Sequence, residues 1–331
     1  MFRRTIALAA LVLAVAASVA AVLAGGSSGA ASKRYTIAFA TDGTDSPYHQ
    51  AMARGGRAAA KALGARYIYT DITSYQSLIA RHVDAIINDA YEPQLRPILT
   101  AVRAAGIPLL SNGDDIAGPR AVWVSYSDPL AYGEALADAL ASQIDGRGDY
   151  AIARQPGQFP IANEWQSIVE KYVAKTYPNM HLAGIVEGSD YNGEPEASKV
   201  EHFMATHPTL KGFVAIPPRA AYAVAMAITA AHKIGKVFSA GNGGGSFGSP
   251  LPAWVKSGAI EFVYASNPIK LGYLGVWAAN YLVTGHRFRP GAYQVGGPIG
   301  MVWYHAGRQE LRLGQPLTIT RANVDVFANT F

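Results

Sequence analysis

The feature that most constrains this chain is a repeated alternation of short apolar runs with longer helix-forming stretches. Residues 35–40 form an apolar run typical of a buried strand, and a helix is predicted from Pro47, after the N-cap Ser46, to Gly64. Further strands are predicted at residues 66–70, 83–88, 107–111, 150–154, 182–187, 212–215 and 236–240. The intervening helices are predicted at residues 93–105, 162–175, 195–207 and 220–232. This alternation predicts an α/β fold with doubly wound parallel sheets.

A polar, glycine-rich break at residues 143–148 separates the predicted strands into two comparable sets. The chain of 331 residues is also longer than a typical single domain. The sequence therefore predicts two stacked α/β lobes.

Residues 1–24 have the composition of a secretory signal peptide, because Arg3 and Arg4 precede an uncharged apolar stretch. An uncleaved membrane anchor is the alternative, since about 20 apolar residues can span a bilayer. Residues 25–33 form a linker rich in glycine, serine and alanine. We therefore predict an exported protein, located in the periplasm or at the outer face of the cytoplasmic membrane.

The absence of cysteine excludes lipid attachment through a thiol: residues 23–26 resemble a lipobox with glycine in place of cysteine. The formal net charge of +5 falls by two once Arg3 and Arg4 are removed. No run of lysine and arginine occurs elsewhere. These charges predict no nucleic-acid partner.

One stretch of the sequence matches the pattern of a catalytic motif. Residues 244–248 match the nucleophile elbow around Ser246 and follow a predicted strand. That motif requires an acid and then a histidine, but the only acid between Ser246 and His286 is Glu261, inside an apparent strand. A glycine-rich loop beside a cleft explains the same residues. An exported serine hydrolase is therefore a minor alternative, and no catalytic residue is assigned.

The sequence contains no phosphate-binding Walker loop, no complete dinucleotide fingerprint and no HExxH motif. Its eight histidines are scattered, and His202 and His207 lack the spacing of metal ligands. We therefore predict no metal and no cofactor.

Polar and aromatic residues gather in loops that directly follow predicted strands. These loops are residues 41–49, 112–115, 156–165, 217–219 and 241–243. Because ligands of parallel sheets bind beyond the carboxyl ends of the strands, these loops indicate a binding site. Carboxylates and amides bond hydroxyl groups, and an aromatic ring can cover the C–H face of a sugar. Ordinary turn chemistry is the alternative for any single loop.

The carboxyl-terminal third carries the most specific pattern. Residues 266–274 read Ser-Asn-Pro-Ile-Lys-Leu-Gly-Tyr-Leu, residues 313–317 read Leu-Gly-Gln-Pro-Leu, and residues 323–327 read Asn-Val-Asp-Val-Phe. Over residues 35–331 the chain resembles the type I periplasmic binding proteins of the ribose-binding superfamily. More narrowly, it resembles the branch of the autoinducer-2 and rhamnose binding proteins. The resemblance implies an ABC-importer binding protein that captures a small polar ligand, a sugar or sugar-like molecule.

The resemblance also implies a hinge of three segments, near Asp145, Ser266 and Tyr293. The implied lobes are residues 34–144 plus 267–293 and residues 145–266 plus 294–331. It further implies a monomer without enzymatic activity whose partner is a membrane ABC permease. The alternative is a sensory protein that reports a signalling molecule such as autoinducer-2 to a membrane receptor.

Carried over position by position, the resemblance implies a ligand site. Asp115 falls on a family carboxylate, Asn163 on an amide, and Asn242 near an aspartate of the ribose binders. The predicted ligand-binding residues are Asp42, Tyr48, Asp114, Asp115, Asn163, Trp165, Pro217, Arg219, Asn242, Ser266 and Asn267. Trp165 is either a stacking residue or a buried anchor of its lobe, and Arg219 could instead lie on the surface.

The chain departs from the autoinducer-2 binders next to these positions. Ile161 and Ala162 replace an acid and an amide, and Asp42 replaces a lysine. The identity of the ligand therefore does not follow from the resemblance.

Overall fold

The computed structural model describes residues 33–90, 95–116, 118–154, 160–188, 194–216, 218–242 and 250–328. The predicted signal peptide and the linker up to residue 32 lie outside these ranges. Among the helices within them, none is both long and apolar enough to cross a membrane.

The first part of the chain contains the predicted strands and helices together with three elements that were not predicted, at residues 75–80, 122–125 and 129–143. Its strands are β1 (Thr36–Thr41), β2 (Arg66–Asp71), β3 (Ala85–Asp89), β4 (Leu109–Gly113) and β5 (Val122–Ser125). Its helices are α1 (Pro47–Leu63), α2 (Tyr75–Ala80), α3 (Arg96–Ala104) and α4 (Pro129–Gln143). Helix α1 begins as predicted, because the Ser46 hydroxyl accepts a hydrogen bond from the His49 amide and Gly64 ends the helix at a φ of +68°.

The second part continues the alternation of strands and helices up to residue 283 and then consists mainly of short strands. Its strands are β6 (Arg147–Arg154), β7 (Asn179–Glu187), β8 (Leu210–Ile216), β9 (Phe238–Asn242), β10 (Phe262–Ala265), β11 (Gly291–Gly296), β12 (Gly300–His305), β13 (Glu310–Arg312) and β14 (Leu317–Ile319). Its helices are α5 (Pro160–Thr176), α6 (Glu194–Thr206), α7 (Pro218–Ala230), α8 (Leu251–Ser257), α9 (Pro268–Val283) and α10 (Val324–Ala328).

Within the described residues these strands form two sheets. The first sheet has eight strands in the order β11-β12-β13-β5-β4-β3-β1-β2, and the second has six in the order β14-β10-β9-β8-β6-β7. Strands β1 to β5 pair in parallel, as do β6 to β10. Strands β3 and β4 are buried throughout, as expected for parallel strands covered by helices on both faces. The predicted α/β class is confirmed.

The strand pairing differs from the predicted lobe boundaries at 144 and 293. Strands β11, β12 and β13 extend the first sheet, because β12 pairs antiparallel with β13 and β13 pairs parallel with β5. Helix α4 packs against β8, β9 and β10, so it belongs with the second sheet. The chain therefore changes sheet between β5 and α4, between β10 and α9, and between β13 and β14. Among the predicted hinge positions, Ser266 lies at such a crossing.

Helices α1 and α9 pack together at an unusually close distance. A Cβ atom on Gly55 would lie 1.9 Å from the Ile269 carbonyl oxygen, and one on Gly272 would lie 2.0 Å from the Met52 carbonyl oxygen. Glycine therefore permits contact between the two backbones. Since α9 also packs on β3, β4 and β5, this contact fixes the first turn of α1 at the carboxyl edge of the first sheet.

Candidate functional site

Acidic residues meet at the carboxyl edge of the first sheet. Thr41 at the end of β1 pairs with Asp89 at the end of β3, and Gly113 at the end of β4 pairs with Ser125. The residues just beyond these positions include Asp42, Asp114 and Asp115. We call Asp42, Asp89, Asp114 and Asp115 the acidic edge. In-register parallel strands explain why residues distant in sequence converge here.

Helix α1 places a histidine against the acidic edge. His49 Nε2 lies 3.3 Å from Asp89 Oδ2 and 3.9 Å from Asp42 Oδ1, and His49 Nδ1 lies 2.8 Å from Ser46 Oγ. Burial lowers the pKa of His49, but the contact with Asp89 and the charges of Asp89 and Asp42 outweigh it and raise the pKa. This histidine therefore offsets part of the negative charge of Asp42 and Asp89.

Asp115 is held by an arginine of its own segment. Arg120 donates from Nε to Asp115 Oδ1 and from Nη2 to Asp115 Oδ2, each at 2.7 Å. The Ser111 hydroxyl donates a further hydrogen bond to Asp115 Oδ1 at 3.0 Å. A bidentate pair of this kind occupies both carboxylate oxygens in a fixed geometry. If Asp115 contacts a ligand, as predicted, its carboxylate must bind the ligand and Arg120 at the same time.

Asp114 has a different environment from its neighbour. Its carboxylate makes no hydrogen bond or ion pair with any residue that the structure describes. Burial, followed by the charges of Asp89, Asp42 and Asp115, raises the pKa of Asp114 to about 7. A half-buried carboxyl group that has no partner among the described residues is a candidate for contact with a ligand.

Two tyrosines lie between the acidic edge and the second sheet. Tyr48 is 7% exposed, and its hydroxyl forms no hydrogen bond within the described residues. Burial raises its pKa well above the ordinary value, with Asp89 and Asp114 adding to the effect. The ring of Tyr126 lies 6.2 Å from that of Trp165 on α5, which packs against the second sheet. The site is therefore located at the junction of the two sheets.

Gly113 leaves room for the side chains of Tyr126 and Asp89 at the acidic edge. Its φ is +74°, and a Cβ atom there would lie 2.8 Å from the Tyr126 hydroxyl oxygen and 3.0 Å from Asp89 Oδ1. Only glycine adopts such a conformation without strain while leaving room for both side chains.

The second sheet contributes an arginine at the end of β6. Arg154 Nη1 donates to Gln166 Oε1 at 2.5 Å and Nη2 donates to Asn163 Oδ1 at 2.6 Å, and Glu187 Oε1 lies 3.6 Å from Nε. The predicted residue Asn163 therefore orients Arg154 through its oxygen. The predicted residue Arg219, exposed in the first turn of α7, lies near Glu196. Burial raises the pKa of Glu196 to about 7 although Lys199 and Arg219 oppose the shift.

Polar contacts join the two sheets beside the site. Ser266 Oγ accepts a hydrogen bond from the Ser127 amide at 3.0 Å and lies 3.1 Å from the Ser127 hydroxyl. Arg308, which follows β12, forms a bidentate pair with Glu164 on α5 at 2.8 and 3.0 Å. The guanidinium of Arg308 also lies 4.9 Å from the centre of the Trp123 ring. These contacts hold the two sheets together next to the acidic edge.

The comparison with protein families identifies the class of this chain. A family model described as a periplasmic binding protein domain matches residues 37–287. The chain belongs to the periplasmic binding protein family. The sequence matches none of the curated proteins with which it was compared.

Solved structures share the fold over nearly the whole chain. An ABC transporter solute-binding protein from Clostridium phytofermentas with bound L-rhamnose has a TM-score of 0.74 and 23% identity, covering 90% of this chain and 99% of its own. One from Agrobacterium vitis bound to α-D-tagatopyranose has a TM-score of 0.72 and 22% identity, with coverages of 88% and 96%. A sugar ABC transporter protein from Actinomyces odontolyticus has a TM-score of 0.73 and 20% identity, with coverages of 88% and 97%.

The structure brings four predicted residues together at the acidic edge: Asp42, Tyr48, Asp114 and Asp115, the last of which is paired with Arg120. Trp165 is 3% exposed and its ring stacks on Tyr132 at 4.4 Å, which favours the alternative of a buried anchor. Ser266 lies at a crossing between the sheets.

Other predicted residues have structural contacts or cannot be placed. The Asn267 side chain caps α9 by accepting a hydrogen bond from the Lys270 amide at 3.1 Å. Pro217 and the side chain of Asn242 lie outside the described residues, as does Ser246 of the nucleophile elbow. No group of three or more potential metal ligands occurs in the part of the chain that the structure describes.

The structure also adds residues that the sequence analysis left unassigned. Asp89, Tyr126, Arg154 and Gln166 contact predicted site residues or lie next to them. Asp89 directly follows the predicted strand 83–88, so the rule that located the other loops could have located it. No sequence signal identifies Tyr126 or Gln166.

We expect Asp114→Asn to raise the melting temperature of the ligand-free protein, with an effect that increases as the pH rises. The pKa of Asp114 is about 7 in the folded protein and 3.8 ordinarily, so the folded protein holds this proton more tightly than the unfolded chain. The resulting stability is present below about pH 4 and is lost as the pH rises through 7. Asparagine cannot ionise and avoids that loss. Calorimetry between pH 5 and 8 measures the difference.

The control is Asp145→Asn, because the Asp145 side chain is 82% exposed. Its melting temperature should follow that of the unmodified protein across the same pH range. A constant difference between Asp114→Asn and the unmodified protein would contradict the assigned environment of Asp114.

Proposed function

We propose that this chain is an exported solute-binding protein of an ABC importer that captures a small polar ligand, a sugar or sugar-like molecule. The observation that carries the proposal is that Tyr48 and Asp114 both lie at the junction of the sheets with polar groups that the described residues leave unsatisfied. Both present polar groups that make no hydrogen bond within the described residues, and Tyr48 is 7% exposed. Buried polar groups normally have partners, so a ligand with hydroxyl groups would supply the missing ones.

Capture would work by closing two lobes on the ligand. Asp42, Asp89 and Asp114 would accept hydrogen bonds from ligand hydroxyls on the side of the first sheet. Asn163 and Arg219 would contact the ligand from the side of the second sheet. Contacts to both lobes stabilise the closed form relative to the open one, with the three crossings acting as the hinge.

The known structures support this function by analogy of fold. Relatives with bound L-rhamnose, α-D-tagatopyranose and D-arabinose use the same arrangement of sheets. Membership of the periplasmic binding protein family agrees with export, which the composition of residues 1–24 favours. We place the chain in the autoinducer-2 and rhamnose branch, acting as a monomer that delivers its ligand to a membrane permease without catalysing a reaction.

A thermal-shift screen across pentoses, hexoses, deoxysugars and polyols tests the function. A ligand present at 100 times its Kd should stabilise the protein by about 2.7 kcal/mol. Absence of a shift with every compound, at concentrations well above the usual Kd of such proteins, would contradict sugar capture.

Tyr48→Phe provides a matched site variant. It removes a hydroxyl without a hydrogen-bond partner in the described residues, so the empty protein should keep its melting temperature. The affinity for the best compound should fall about fivefold, as expected for the loss of one neutral hydrogen bond. Tyr177→Phe serves as the control, since the Tyr177 hydroxyl donates to Asp138 at 2.8 Å. An unchanged affinity in Tyr48→Phe would remove this tyrosine from the site.

A further inference from the structure

The charges on the first-sheet side of the site do not balance. Arg120 occupies both oxygens of Asp115, and His49 lies between Asp42 and Asp89. Asp114 has no ion pair within the described residues. Among the residues that the structure describes, no cation therefore pairs with Asp114 to offset the negative charge of the acidic edge.

The carboxylate of Asp89, although close to His49, is poorly satisfied by hydrogen bonds. It is 8% exposed, and its Oδ2 atom is buried without a hydrogen bond, although His49 Nε2 lies 3.3 Å away. The other oxygen, Oδ1, accepts a long hydrogen bond of 3.4 Å from Asn112 Nδ2. A buried carboxylate oxygen without a hydrogen bond loses the solvation that it would have in water.

Tyr48 points independently to a ligand at the same place. It belongs to α1 and not to the acidic edge, it is 7% exposed, and its hydroxyl has no hydrogen bond within the described residues. Tyr48 directly precedes His49, whose Nε2 lies 3.3 Å from Asp89 Oδ2, and the charges of Asp89 and Asp114 add to the rise in the pKa of Tyr48. A single ligand could therefore contact Tyr48, Asp89 and Asp114 at once.

The cations of the second sheet are engaged elsewhere. Arg154 is held by Asn163, Gln166 and Glu187. Arg219 lies near Glu196. The charges that act on Asp114 are those of Asp89, Asp42 and Asp115, all of them carboxylates.

The pKa of Asp114 is about 7, and a neutral sugar would leave its ionised form without a compensating charge when the lobes close around it. An ammonium group would instead donate a charge-assisted hydrogen bond to the carboxylate, and such bonds are about twice as strong as neutral ones. The hydroxyl of Tyr48 and the oxygen of Asp89 would remain for neighbouring hydroxyls of the same ligand.

We propose that the preferred ligand is a polyhydroxylated amine, such as an amino sugar, whose ammonium group binds Asp114 while its hydroxyls contact Asp89 and Tyr48. This inference rests on the proposed capture of a sugar-like molecule and specifies the charge of that molecule.

Isothermal titration calorimetry at pH 7 with matched probes tests the inference. The probes are glucosamine, galactosamine and mannosamine, their neutral parent hexoses, and their N-acetyl derivatives, in which the nitrogen carries no charge. In the unmodified protein we expect at least one amine to bind about tenfold or more tightly than both its parent hexose and its N-acetyl derivative.

Asp114→Asn should weaken binding of that amine by about tenfold or more and weaken binding of the parent hexose by a clearly smaller factor, because asparagine keeps one oxygen that accepts a hydroxyl hydrogen bond. Asp149→Asn is the matched control, because Asp149 lies near the start of β6, away from the carboxyl edge. Its Oδ2 atom accepts a hydrogen bond from the Thr209 hydroxyl at 2.6 Å. The comparison of amine with hexose in the unmodified protein holds whether or not Asp114→Asn folds.

The outcomes separate this inference from the proposed function. If neutral hexoses bind as tightly as their amines, sugar capture stands and the preference for an amine is wrong. If the simple diamine putrescine binds and none of the sugar probes does, the charge assignment stands and sugar capture fails. If no amine binds, the inference is overturned.

Discussion

Replacing Gly272 by alanine is expected to lower the free energy of unfolding by about 3 kcal/mol, the upper part of the range for overpacked cores. The new Cβ would lie 2.0 Å from the Met52 carbonyl oxygen, which belongs to the backbone of α1 and cannot rotate away. Alanine is favoured over glycine inside a helix by about 1 kcal/mol, which is too little to compensate. The helices would have to separate, and α1 carries Tyr48 and His49.

Differential scanning calorimetry should show this loss as a decrease in melting temperature of about 5–10 °C. The control is Gly307→Ala, because a Cβ atom at Gly307 would meet no heavy atom within 4 Å. That variant should stay within about 0.5 kcal/mol of the unmodified protein. Equal stability of the two variants would show that α1 and α9 do not pack as closely as described.

The predicted strands and helices are mostly present because each depends on local properties. The apolar run at residues 83–88 predicts a buried strand, and β3 spans Ala85–Asp89. Ser46 and Gly64 predict the ends of α1, since capping depends only on neighbouring residues. Such signals do not depend on the rest of the fold.

The sheet to which an element belongs depends on distant contacts and could not be predicted in the same way. Strand β12 alternates exposed and buried residues, with Met301 and Trp303 both 59% exposed. That alternation is compatible with pairing at the edge of either sheet. Its position follows from the antiparallel pairing with β11 and β13, which the local sequence does not specify.

The distinction between local signals and distant contacts also applies to the candidate site. The position of Asp42 and Asp114 after predicted strands placed them correctly at one edge, since that rule needs only the strands. The bidentate contact between Asp115 and Arg120 and the stacking of Trp165 on Tyr132 are tertiary contacts. Residue type and strand position therefore locate the site, while the partner of each side chain decides which residues are available for a ligand.

Asp89→Ala is expected to weaken ligand binding by about 100-fold, the largest effect of any single change at the acidic edge. Asp89 Oδ2 is buried without a hydrogen bond and lies 3.3 Å from His49 Nε2, so a ligand donor would share this oxygen with the histidine. A hydrogen bond to a charged group contributes about 1.5–3 kcal/mol, which corresponds to about 10–150-fold in affinity. The loss of affinity should lie near the upper limit because alanine also removes the contacts of Asp89 with its neighbours. These are the contact with His49 at 3.3 Å and the hydrogen bond from Asn112 at 3.4 Å.

Calorimetric titration with the best compound of the screen measures this effect, and Asp149→Ala provides the control at the opposite end of a strand. Asp89→Asn distinguishes charge from shape, because asparagine keeps the volume and one acceptor oxygen. If a ligand hydroxyl contacts Asp89, as proposed, Asp89→Asn should retain much of the affinity that Asp89→Ala loses, because the remaining oxygen still accepts a hydroxyl hydrogen bond. An equal loss in both variants would instead place the ammonium group of the ligand at Asp89 and not at Asp114, since both variants remove the negative charge. Full affinity in Asp89→Ala would place the ligand away from the acidic edge.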